Sequence, residues 1–497
     1  MAADPALTST SQDSSCVRFV LDGEIIEARD VPPTTTVLEY LRETLGRKGT
    51  KEGCAEGDCG ACTVVLGKLS EDRSQIRYTA VNSCIRYLPT IDGHELVTVE
   101  SLQQGDALHP IQQSLIEHHA SQCGFCTPGF VMSLFALYLN SESPSRDAVV
   151  DALAGNLCRC TGYRPIIDAG CAMGRYADPQ QWSRADSQSE TRIAKLRALQ
   201  RVATLDLDGY LAPQSLDELL RALERTPDSL LLAGGTDIGL WTTKHLQSLP
   251  PLIYIGEVKE LQHVDVEHDG IRIGAAVSLT DAWRMLVKHF PPLEELARRF
   301  ASPPVCNSGT LCGNLANGSP IGDSMPALIA LSASVELRSS HGARSIPLER
   351  FYLGYQQKDL RPGEFISHVR IPCLQDRQRL ACHKVSKRFD QDISAVCAAF
   401  LIELEDDHVR DARFAFGGMA AIPKRASQAE ACVMGQRWTR ASIDRAASAL
   451  ARDFEPLTDM RASAAYRLEV AANLLRRFHQ ATHDNDDINV HSLAVTS

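Results

Sequence analysis

The sequence predicts a multidomain α+β protein. The chain has 497 residues, more than one ordinary hydrophobic core accommodates, and a length prior gives about three domains. Short strand-like runs separated by turn residues occupy the region before residue 100, helical periodicity replaces them up to residue 176, and strands and helices alternate afterwards. These changes in the periodicity of apolar residues predict several consecutive domains.

Composition and charge narrow the classes of partner. The chain is 44% hydrophobic and carries a formal net charge of -11, so it lacks the basic stripe that neutralises phosphates, and no nucleic-acid partner is expected. No apolar run reaches the roughly 18 residues of a membrane helix, and the first residues have neither the cationic region nor the apolar core of a secretory signal. We therefore expect a cytoplasmic protein without a membrane partner, with a disordered lead-in over residues 1–16 and a mobile tail after Asp484.

The first unit is predicted over residues 16–100 as a small α+β domain, in which the helical pattern TTVLEYLRETLG follows strand-like VRFVLDGEIIEA. The segment CAEGDCGACTV then places Cys54, Cys59 and Cys62 at C-x4-C-x2-C spacing, and Cys84 lies on the next turn. Four thiolates in this arrangement are the plant-type ferredoxin pattern of a [2Fe-2S] cluster, and the small residues between them let the loop wrap closely. A zinc site, which favours paired C-x2-C elements, and buried structural cysteines are the alternatives.

The second unit, residues 101–176, is predicted as a compact helical domain, because apolar residues recur at helical spacing in TPGFVMSLFALYLNS and SRDAVVDALAGNL. CGFC supplies Cys123 and Cys126, and CRC supplies Cys158 and Cys160. The two pairs form one four-thiolate site if the helical hairpins pack together. Spacing alone leaves open a second iron-sulfur cluster, a zinc clasp and, for CGFC, a thioredoxin-like redox pair.

Residues 177–205 lack sustained apolar periodicity and are rich in Ser, Gln and Arg, which predicts a linker. An α/β domain is predicted over residues 206–380, and it opens on a helix with a capping box at Ser215 and Glu218. A last α+β unit is predicted over residues 381–484, with strands SAVCAAFLIELE and VRDARFAFGGM before two helices.

Two glycine-containing stretches of the third domain are candidates for phosphate binding. LLLAGGTDIGL places a Gly-Gly turn after a strand, where backbone amides approach a pyrophosphate without a Cβ clash. By itself such a turn is more often an ordinary tight turn, and it does not match the Rossmann pattern G-x-G-x-x-G. NSGTLCGNLANGSPIGDSMPAL alternates glycines with short polar residues and is predicted as a long functional loop rich in free amides.

CGFCTPGFVMSL and GNLCRCTGYRPI, behind the first cysteine loop, resemble the iron-sulfur half of the molybdenum hydroxylases, the family of xanthine dehydrogenase and aldehyde oxidase. The resemblance covers about residues 17–172 and implies a β-grasp ferredoxin domain, a four-helix domain and two [2Fe-2S] clusters. The implied ligands are Cys54, Cys59, Cys62 and Cys84 for one cluster, and Cys123, Cys126, Cys158 and Cys160 for the other. The remaining cysteines are interpreted as small buried hydrophobes: Cys16, Cys171, Cys306, Cys312, Cys373, Cys382, Cys397 and Cys432.

Both glycine stretches resemble the FAD domain of the same family, which is of the vanillyl-alcohol oxidase type. The implied contacts with the flavin diphosphate are Leu231, Leu232, Ala233, Gly234, Gly235, Thr236, Asp237 and Ile238 in the first stretch, and Thr310, Leu311, Cys312, Gly313 and Asn314 in the second. Further implied FAD contacts are Phe300, Asp323, Leu360 and Lys384. The resemblance also places residues 383–396 beside the flavin, where NAD+ access is controlled, and implies that the last unit is a CO-dehydrogenase-flavoprotein-like domain.

The resemblance implies an oxidoreductase subunit for electron transfer. Electrons from hypoxanthine or xanthine oxidation at a molybdenum cofactor on a partner chain would pass through both clusters to FAD, which reduces NAD+. The residues that carry molybdenum in fused members of the family are not in this sequence, so we expect a separate large subunit and an assembly of two small and two large subunits. No catalytic acid-base residue is expected here. The alternatives are a related hydroxylase of aldehydes or N-heterocycles and, from another class, a non-catalytic zinc or redox-sensing module.

Overall fold

The computed structural model describes residues 14–103, 105 and 107–484. Most of the expected lead-in and the whole expected tail lie outside these residues. The chain forms two compact units: one contains the residues up to Lys259 together with 303–307, and the other contains 260–302 and the residues from Ser308 onward. Within the described ranges, no helix has the length and apolarity that crossing a bilayer requires.

The first unit contains two sheets and a group of helices. Its strands are β1 (Val17–Leu21), β2 (Glu24–Ala28), β3 (Thr63–Leu69), β4 (Ile76–Asn82), β5 (Glu95–Val97), β6 (Leu205–Leu207), β7 (Tyr210–Ala212), β8 (Leu230–Leu232) and β9 (Leu252–Tyr254). Its helices are α1 (Val37–Glu39), which a π-helical turn at Tyr40–Thr44 continues, α2 (Pro110–Glu117), α3 (Thr127–Asn140), α4 (Arg146–Leu153), α5 (Arg164–Ala172), α6 (Arg184–Ser187), α7 (Glu190–Leu199), α8 (Leu216–Arg225) and α9 (Ile238–Thr243).

The sheet of the first domain has the order β2-β1-β5-β3-β4, with β1 and β5 parallel and the other pairs antiparallel. Strand β3, between β5 and β4, is buried on both faces. Val64 and Leu66 point into a core shared with α1 and the sheet β6-β7-β9-β8, whereas Val65 and Leu69 point into a core shared with the helical domain. Because successive strand residues face opposite sides, one strand holds the helical domain and the β6–β9 sheet on its two faces. The predicted α+β fold is confirmed here, and the cysteine loop directly precedes β3.

The predicted helical domain is also present, as helices α2 to α5. Helix α3 is the central element, and Phe130, Leu134 and Phe135 on it are each at most 1% exposed. A helix that is apolar on nearly all sides must be covered on all of them, and here its neighbours are β3, α2 and α4.

Residues 177–205 differ from the expected linker, because they carry α6 and α7 and contribute to the core. Trp182 is 2% exposed, and Ile193, Leu196 and Leu199 on α7 pack into the core of the helical domain and the first sheet. The guanidinium of Arg192 lies 3.7 Å from the centre of the Trp182 ring. Three apolar residues on one face of a ten-residue helix are too few to stand out from a polar sequence, which explains why the pattern predicted a linker.

A buried histidine begins helix α2. The Ile111 amide donates to Nδ1 of His109 over 3.4 Å, and Nε2 lies 3.4 Å from the carbonyl oxygen of Trp182. An accepting Nδ1 leaves the proton on Nε2, so the ring is neutral and donates to that carbonyl. Burial lowers the pKa of His109 to about 4.

We expect stability to fall in mild acid through His109. Its pKa is lower in the folded than in the unfolded chain, so the unfolded chain takes up more protons and the stabilisation present at pH 7 is lost as the pH falls below about 6.5. Between pH 7 and pH 5 this residue accounts for about 2 kcal/mol of unfolding free energy. The variant His109→Asn keeps a capping oxygen but does not titrate. In urea denaturation at pH 7 and pH 5, its unfolding free energy is expected to fall by about 2 kcal/mol less than that of the unmodified protein. An unchanged loss would contradict the assignment.

The second unit contains two larger antiparallel sheets. Its strands are β10 (Val264–Glu267), β11 (Gly270–Gly274), β12 (Ser334–Ser339), β13 (Gly342–Pro347), β14 (Tyr352–Gly354), β15 (Gln357–Lys358), β16 (Phe365–Pro372), β17 (Gln378–Val385), β18 (Val396–Glu405), β19 (His408–Gly417) and β20 (Lys424–Arg425). The remaining helices are α10 (Leu279–His289), α11 (Glu294–Arg298), α12 (Pro303–Ser308), α13 (Leu311–Asn317), α14 (Ser324–Ala330), α15 (Leu348–Phe351), α16 (Ser427–Ala431), α17 (Arg440–Asp453) and α18 (Ala464–Asp484), and all of α12 except Ser308 belongs to the first unit.

The two main sheets have the orders β10-β11-β16-β12-β13 and β17-β18-β19-β20. The second sheet packs against α16, α17 and α18 around a cluster of buried aromatic rings, in which Phe400 contacts Phe414, Phe416 and Phe478 at centroid distances of 5.4 to 5.7 Å. The predicted α+β character of the last unit is therefore confirmed.

Candidate functional site

The four cysteines proposed for the first cluster come together at one end of the ferredoxin-like sheet. Cys62 precedes β3 and Cys84 follows β4, and the register Thr63 to Asn82 brings these two strand ends side by side. The Cys54 thiol interacts with those of Cys59 and Cys84, and the Cys62 thiol interacts with that of Cys84. Cys84 is distant from the loop in sequence, but the β3–β4 hairpin brings it close, and the four sulfurs lie near one another.

The backbone of the loop turns its amides towards these sulfurs. The amides of Asp58 and Cys59 each lie 3.4 Å from the sulfur of Cys54. Hydrogen bonds from Cys59 and Cys84 lower the pKa of the Cys54 thiol, which favours the thiolate that iron binds. Gly57 and Gly60 have φ of +79° and +69°, a conformation in which a side chain is strained. The glycines of this loop therefore serve its close wrapping, and the arrangement fits a [2Fe-2S] cluster.

The second cysteine group lies at two helix starts. Cys126 immediately precedes α3, while Cys158 and Cys160 lie between α4 and α5. The sulfur of Cys160 is 3.6 Å from that of Cys123, and the Cys126 thiol interacts with that of Cys158. The four sulfurs therefore form two pairs, Cys123 with Cys160 and Cys126 with Cys158, at one end of the helical domain.

The four cysteines of this second group differ in solvent exposure, and Cys126 and Cys158 differ in the pKa of their thiols. Cys123 and Cys160 are exposed, whereas Cys158 is 9% exposed and Cys126 is half-buried. Burial raises the pKa of Cys126 to about 12; for Cys158, burial is outweighed by hydrogen bonds from the hydroxyl and amide of Thr161, which lower its pKa. Among the residues that the structure describes, no group of three or more His, Cys, Asp or Glu side chains is arranged around a single metal ion.

The first glycine stretch lies against the first cysteine group. Gly235, at φ +74°, closes the turn after β8, and α9 follows. A Cβ on Gly239 would lie 2.6 Å from the carbonyl oxygen of Ile85, the residue after Cys84. The hydroxyl of Thr243 donates to the Ala55 carbonyl over 2.7 Å. Helix α9, which directly follows the turn expected to bind the flavin diphosphate, is therefore in direct contact with the segments expected to bind a cluster, within one unit.

The second glycine stretch is not the long loop that the sequence predicted. It forms α12, α13 and α14 with short turns between them, and the Thr310 hydroxyl accepts a hydrogen bond from the Gly313 amide over 3.0 Å as the cap of α13. Apolar Leu311, Cys312 and Leu315 on one buried face stabilise this helix despite its glycine and asparagines. This stretch belongs almost entirely to the second unit and the first stretch to the first unit.

Asp323 and Lys384, both proposed FAD contacts, form an ion pair in the second unit. The Lys384 Nζ lies 2.6 Å from Asp323 Oδ2, and both residues are 6% exposed. The Ser394 hydroxyl donates to the other carboxylate oxygen over 2.6 Å. A buried charge pair with this many partners positions its groups rigidly.

Phe300 and Leu360, the other two proposed contacts, lie on less buried parts of the second unit. The Phe300 ring is 5.4 Å from the Trp283 ring, and Leu360 is 38% exposed. The neighbouring Arg299, which sequence reasoning did not select, is 5% exposed and donates to the carbonyls of Lys384 and Phe389 over 2.8 Å each. Arg299 thereby fixes the start of the segment that the resemblance places beside the flavin.

Four family models match the chain in order. They are a 2Fe-2S iron-sulfur cluster binding domain over residues 19–88 and a [2Fe-2S] binding domain over residues 98–171. An FAD binding domain in molybdopterin dehydrogenase matches residues 202–374, and a CO dehydrogenase flavoprotein C-terminal domain matches residues 381–482. The first two domains bind iron-sulfur clusters and the third binds FAD, so the zinc-module alternative is not supported.

Full-length relatives are similar over most of the chain. Xanthine dehydrogenase of Emericella nidulans is 32% identical over 96% of this chain, and aldehyde oxidase 2 of Cavia porcellus is 31% identical over 87%. The chain spans 39% and 37% of the lengths of these two proteins. Among solved structures, a carbon monoxide dehydrogenase from Hydrogenophaga pseudoflava matches 54% of this chain and 94% of its own chain, with 29% identity and a TM-score of 0.51.

Proposed function

The chain belongs to the molybdenum hydroxylase family and has the architecture of its iron-sulfur/FAD electron-transfer subunit, and from this premise we propose that it is the small subunit of a xanthine dehydrogenase. The observation that carries the proposal is the direct contact of the first cysteine group with helix α9, which directly follows the first glycine turn. In this function, the clusters carry single electrons and the flavin exchanges a pair of them with NAD+ as hydride.

The residues of this chain bind and space the redox groups. We assign Cys54, Cys59, Cys62 and Cys84 to one cluster and the remaining four ligands, Cys123, Cys126, Cys158 and Cys160, to the other. The first glycine stretch and the Thr310–Asn314 segment contribute contacts for FAD, together with Phe300, Asp323, Leu360 and Lys384. No residue of this chain is assigned acid-base catalysis.

The source of electrons is proposed to be a molybdenum cofactor on a larger partner chain, in an assembly of two small and two large subunits in the cytoplasm. The helical domain offers a surface for such a partner. Exposed Cys123 and Cys160 lie among apolar side chains that are unusually exposed: Phe125 is 48%, Leu157 39% and Tyr163 37% exposed. A partner that covers these side chains would also shield the second cluster from solvent.

The test is copurification of the chain with its partner, followed by counts of iron, flavin and molybdenum and by assay of purine-dependent NADH formation. Four irons and one flavin per small chain, with xanthine supporting NADH formation, are expected. A related hydroxylase remains a second candidate, because aldehyde oxidase 2 matches the chain nearly as well as xanthine dehydrogenase does. Activity with an aldehyde or an N-heterocycle, and none with xanthine, would favour that candidate.

We expect Gly239→Ala to slow electron transfer to the flavin. The new methyl group would lie 2.6 Å from the Ile85 carbonyl oxygen and 2.9 Å from the Ile85 Cβ, so α9 must move away from the segment that carries Cys84. Such overpacking costs about 1–3 kcal/mol. Rapid-mixing kinetics of flavin reduction in the assembled enzyme measure the effect.

Gly354→Ala is the matched control for this prediction, because the nearest atom to its added methyl group is the flexible Gln357 side chain at 3.4 Å. A Gly239→Ala enzyme that reduces its flavin as fast as this control does would contradict the role of the contact.

A further inference from the structure

The two cysteine groups are joined by backbone contacts that could not be predicted from the sequence. The Leu157 amide, one residue before Cys158, donates to the carbonyl oxygen of Cys59 over 3.0 Å. This single hydrogen bond connects a proposed ligand of one cluster to the residue next to a proposed ligand of the other. It provides a path of few bonds between the two sites.

The approach of the two segments is as close as backbone atoms allow. A Cβ on Gly60 would lie 2.1 Å from the carbonyl oxygen of Gly155, and a Cβ on Gly129 would lie 2.1 Å from the carbonyl oxygen of Gly60. Real Cβ atoms do not come so near to other atoms, so neither glycine can be replaced without separating the segments. The loop of the first group is thus pressed against α3 and against the turn after α4, the two elements that lead to the second group.

One side chain holds these three elements together. Asn156 is 4% exposed, and its Nδ2 donates to the Gly60 carbonyl over 3.1 Å and lies 3.4 Å from the Thr63 hydroxyl oxygen. Its Oδ1 accepts a hydrogen bond of 2.6 Å from the hydroxyl of Ser133 on α3, and Ser133 is 2% exposed. Both ends of the amide are therefore satisfied, and each end contacts a different element.

We propose that Asn156 is the positioning residue that fixes the spacing of the two iron-sulfur sites. It holds Gly60, between Cys59 and Cys62, against the segment that leads to Cys158, and so keeps the Leu157 hydrogen bond to Cys59 in place. With a cluster bound at each site, one electron would pass from the site of Cys158 to the site of Cys59, with no bond formed or broken and no proton moved. The inference rests on the proposed function, since it requires both cysteine groups to hold clusters.

The carboxamide is specifically required by this geometry. An aspartate at 156 has the same shape but places an oxygen against the carbonyl oxygen of Gly60, so attraction becomes repulsion between two acceptors. In a buried site this unpaired charge is costly and drives the two segments apart. Asparagine alone among side chains of this size offers a donor to Gly60 and an acceptor to Ser133.

The test uses the full-length chain with both clusters, reduced with dithionite, in the variant Asn156→Asp. The magnetic interaction between the two reduced clusters, seen as line splitting in low-temperature electron paramagnetic resonance spectra, is expected in the unmodified protein and is lost or clearly reduced in the variant. Hydrogen exchange of the Leu157 amide is expected to become faster. Asn140→Asp is the control, because the Asn140 amide also donates to backbone carbonyls, those of Ala136 and Tyr78, but touches neither cysteine segment.

The outcomes separate the inference from the proposed function. An unmodified protein without two cluster signals overturns both. A protein with two signals, whose splitting and Leu157 exchange are the same in Asn156→Asp, overturns only the role of Asn156. If Asn156→Asp fails to retain its clusters, the variant Ser133→Ala is measured instead, because it removes one partner of the Asn156 amide. A partial loss of the splitting in Ser133→Ala supports the inference. Unchanged splitting overturns it.

Discussion

Replacing Cys84 with alanine is expected to remove the first cluster and to halve the iron content, from four to two atoms per chain. Cys84 is 3% exposed and its thiol contacts the sulfurs of both Cys54 and Cys62, so no other side chain can take its place among them. Helix α9, which directly follows the first glycine turn, contacts this segment through Ile85, and electrons from the second cluster would no longer have a carrier next to the flavin. NADH formation by the assembled enzyme is expected to fall to background.

Iron analysis and the absorbance of the purified variant measure this result, and Cys171→Ala is its matched control. Cys171 is a half-buried cysteine of α5 that was not assigned as a ligand, so its replacement tests the loss of a thiol without the loss of a cluster. Retention of four irons in Cys84→Ala, or an equal loss in Cys171→Ala, would refute the ligand assignment. The flavin should stay bound in both variants, because neither residue belongs to the proposed FAD contacts.

The first cysteine loop was predictable from the sequence because its chemistry imposes local spacing, whereas the spacing of the second group left a zinc clasp and a redox pair open and its interpretation as a cluster came from the family resemblance. C-x4-C-x2-C is a property of one loop, and the amides and small residues that accompany it are its neighbours in sequence. Cys84 was placed with this loop because it lies on the next turn, and the structure shows that the β3–β4 hairpin brings the two together. The fold class followed from the same periodicities.

What the sequence did not reveal depends on contacts between distant segments. Asn156 and Gly239 look like ordinary polar and small residues, and only the three-dimensional structure shows that each lies against a cysteine segment. Asn156 does have a weak signal, since it stands two residues before Cys158, but nothing in the sequence indicates that its partner is Gly60. The helical character of residues 311–317 was missed for another reason: tertiary burial of its apolar face outweighs the poor helix propensity of glycine and asparagine.

The buried pair of Asp323 and Lys384 is expected to have the largest effect on stability. In Asp323→Asn the Lys384 ammonium keeps its burial but loses its carboxylate, and breaking a buried ion pair in this way costs about 3–5 kcal/mol. Hydrogen exchange of the amides in β17 and β18 measures this local loss. The pair of Asp411 and Arg413, whose side chains are 37% and 25% exposed, provides the control, because Asp411→Asn removes a charge pair that water partly screens and should have a smaller effect.

The double variant Asp323→Asn with Lys384→Met separates structural stabilisation from flavin binding. Removing both charges leaves no unpaired ion, so most of the lost stability should return, since buried pairs contribute little beyond a well-packed neutral replacement. Flavin affinity should stay low in the double variant if the two side chains contact FAD, because their charges and hydrogen bonds are still missing. A double variant that regains both its stability and its flavin would mean that the pair only supports the fold. Regained stability without flavin is the result expected from the proposed assignment of Asp323 and Lys384.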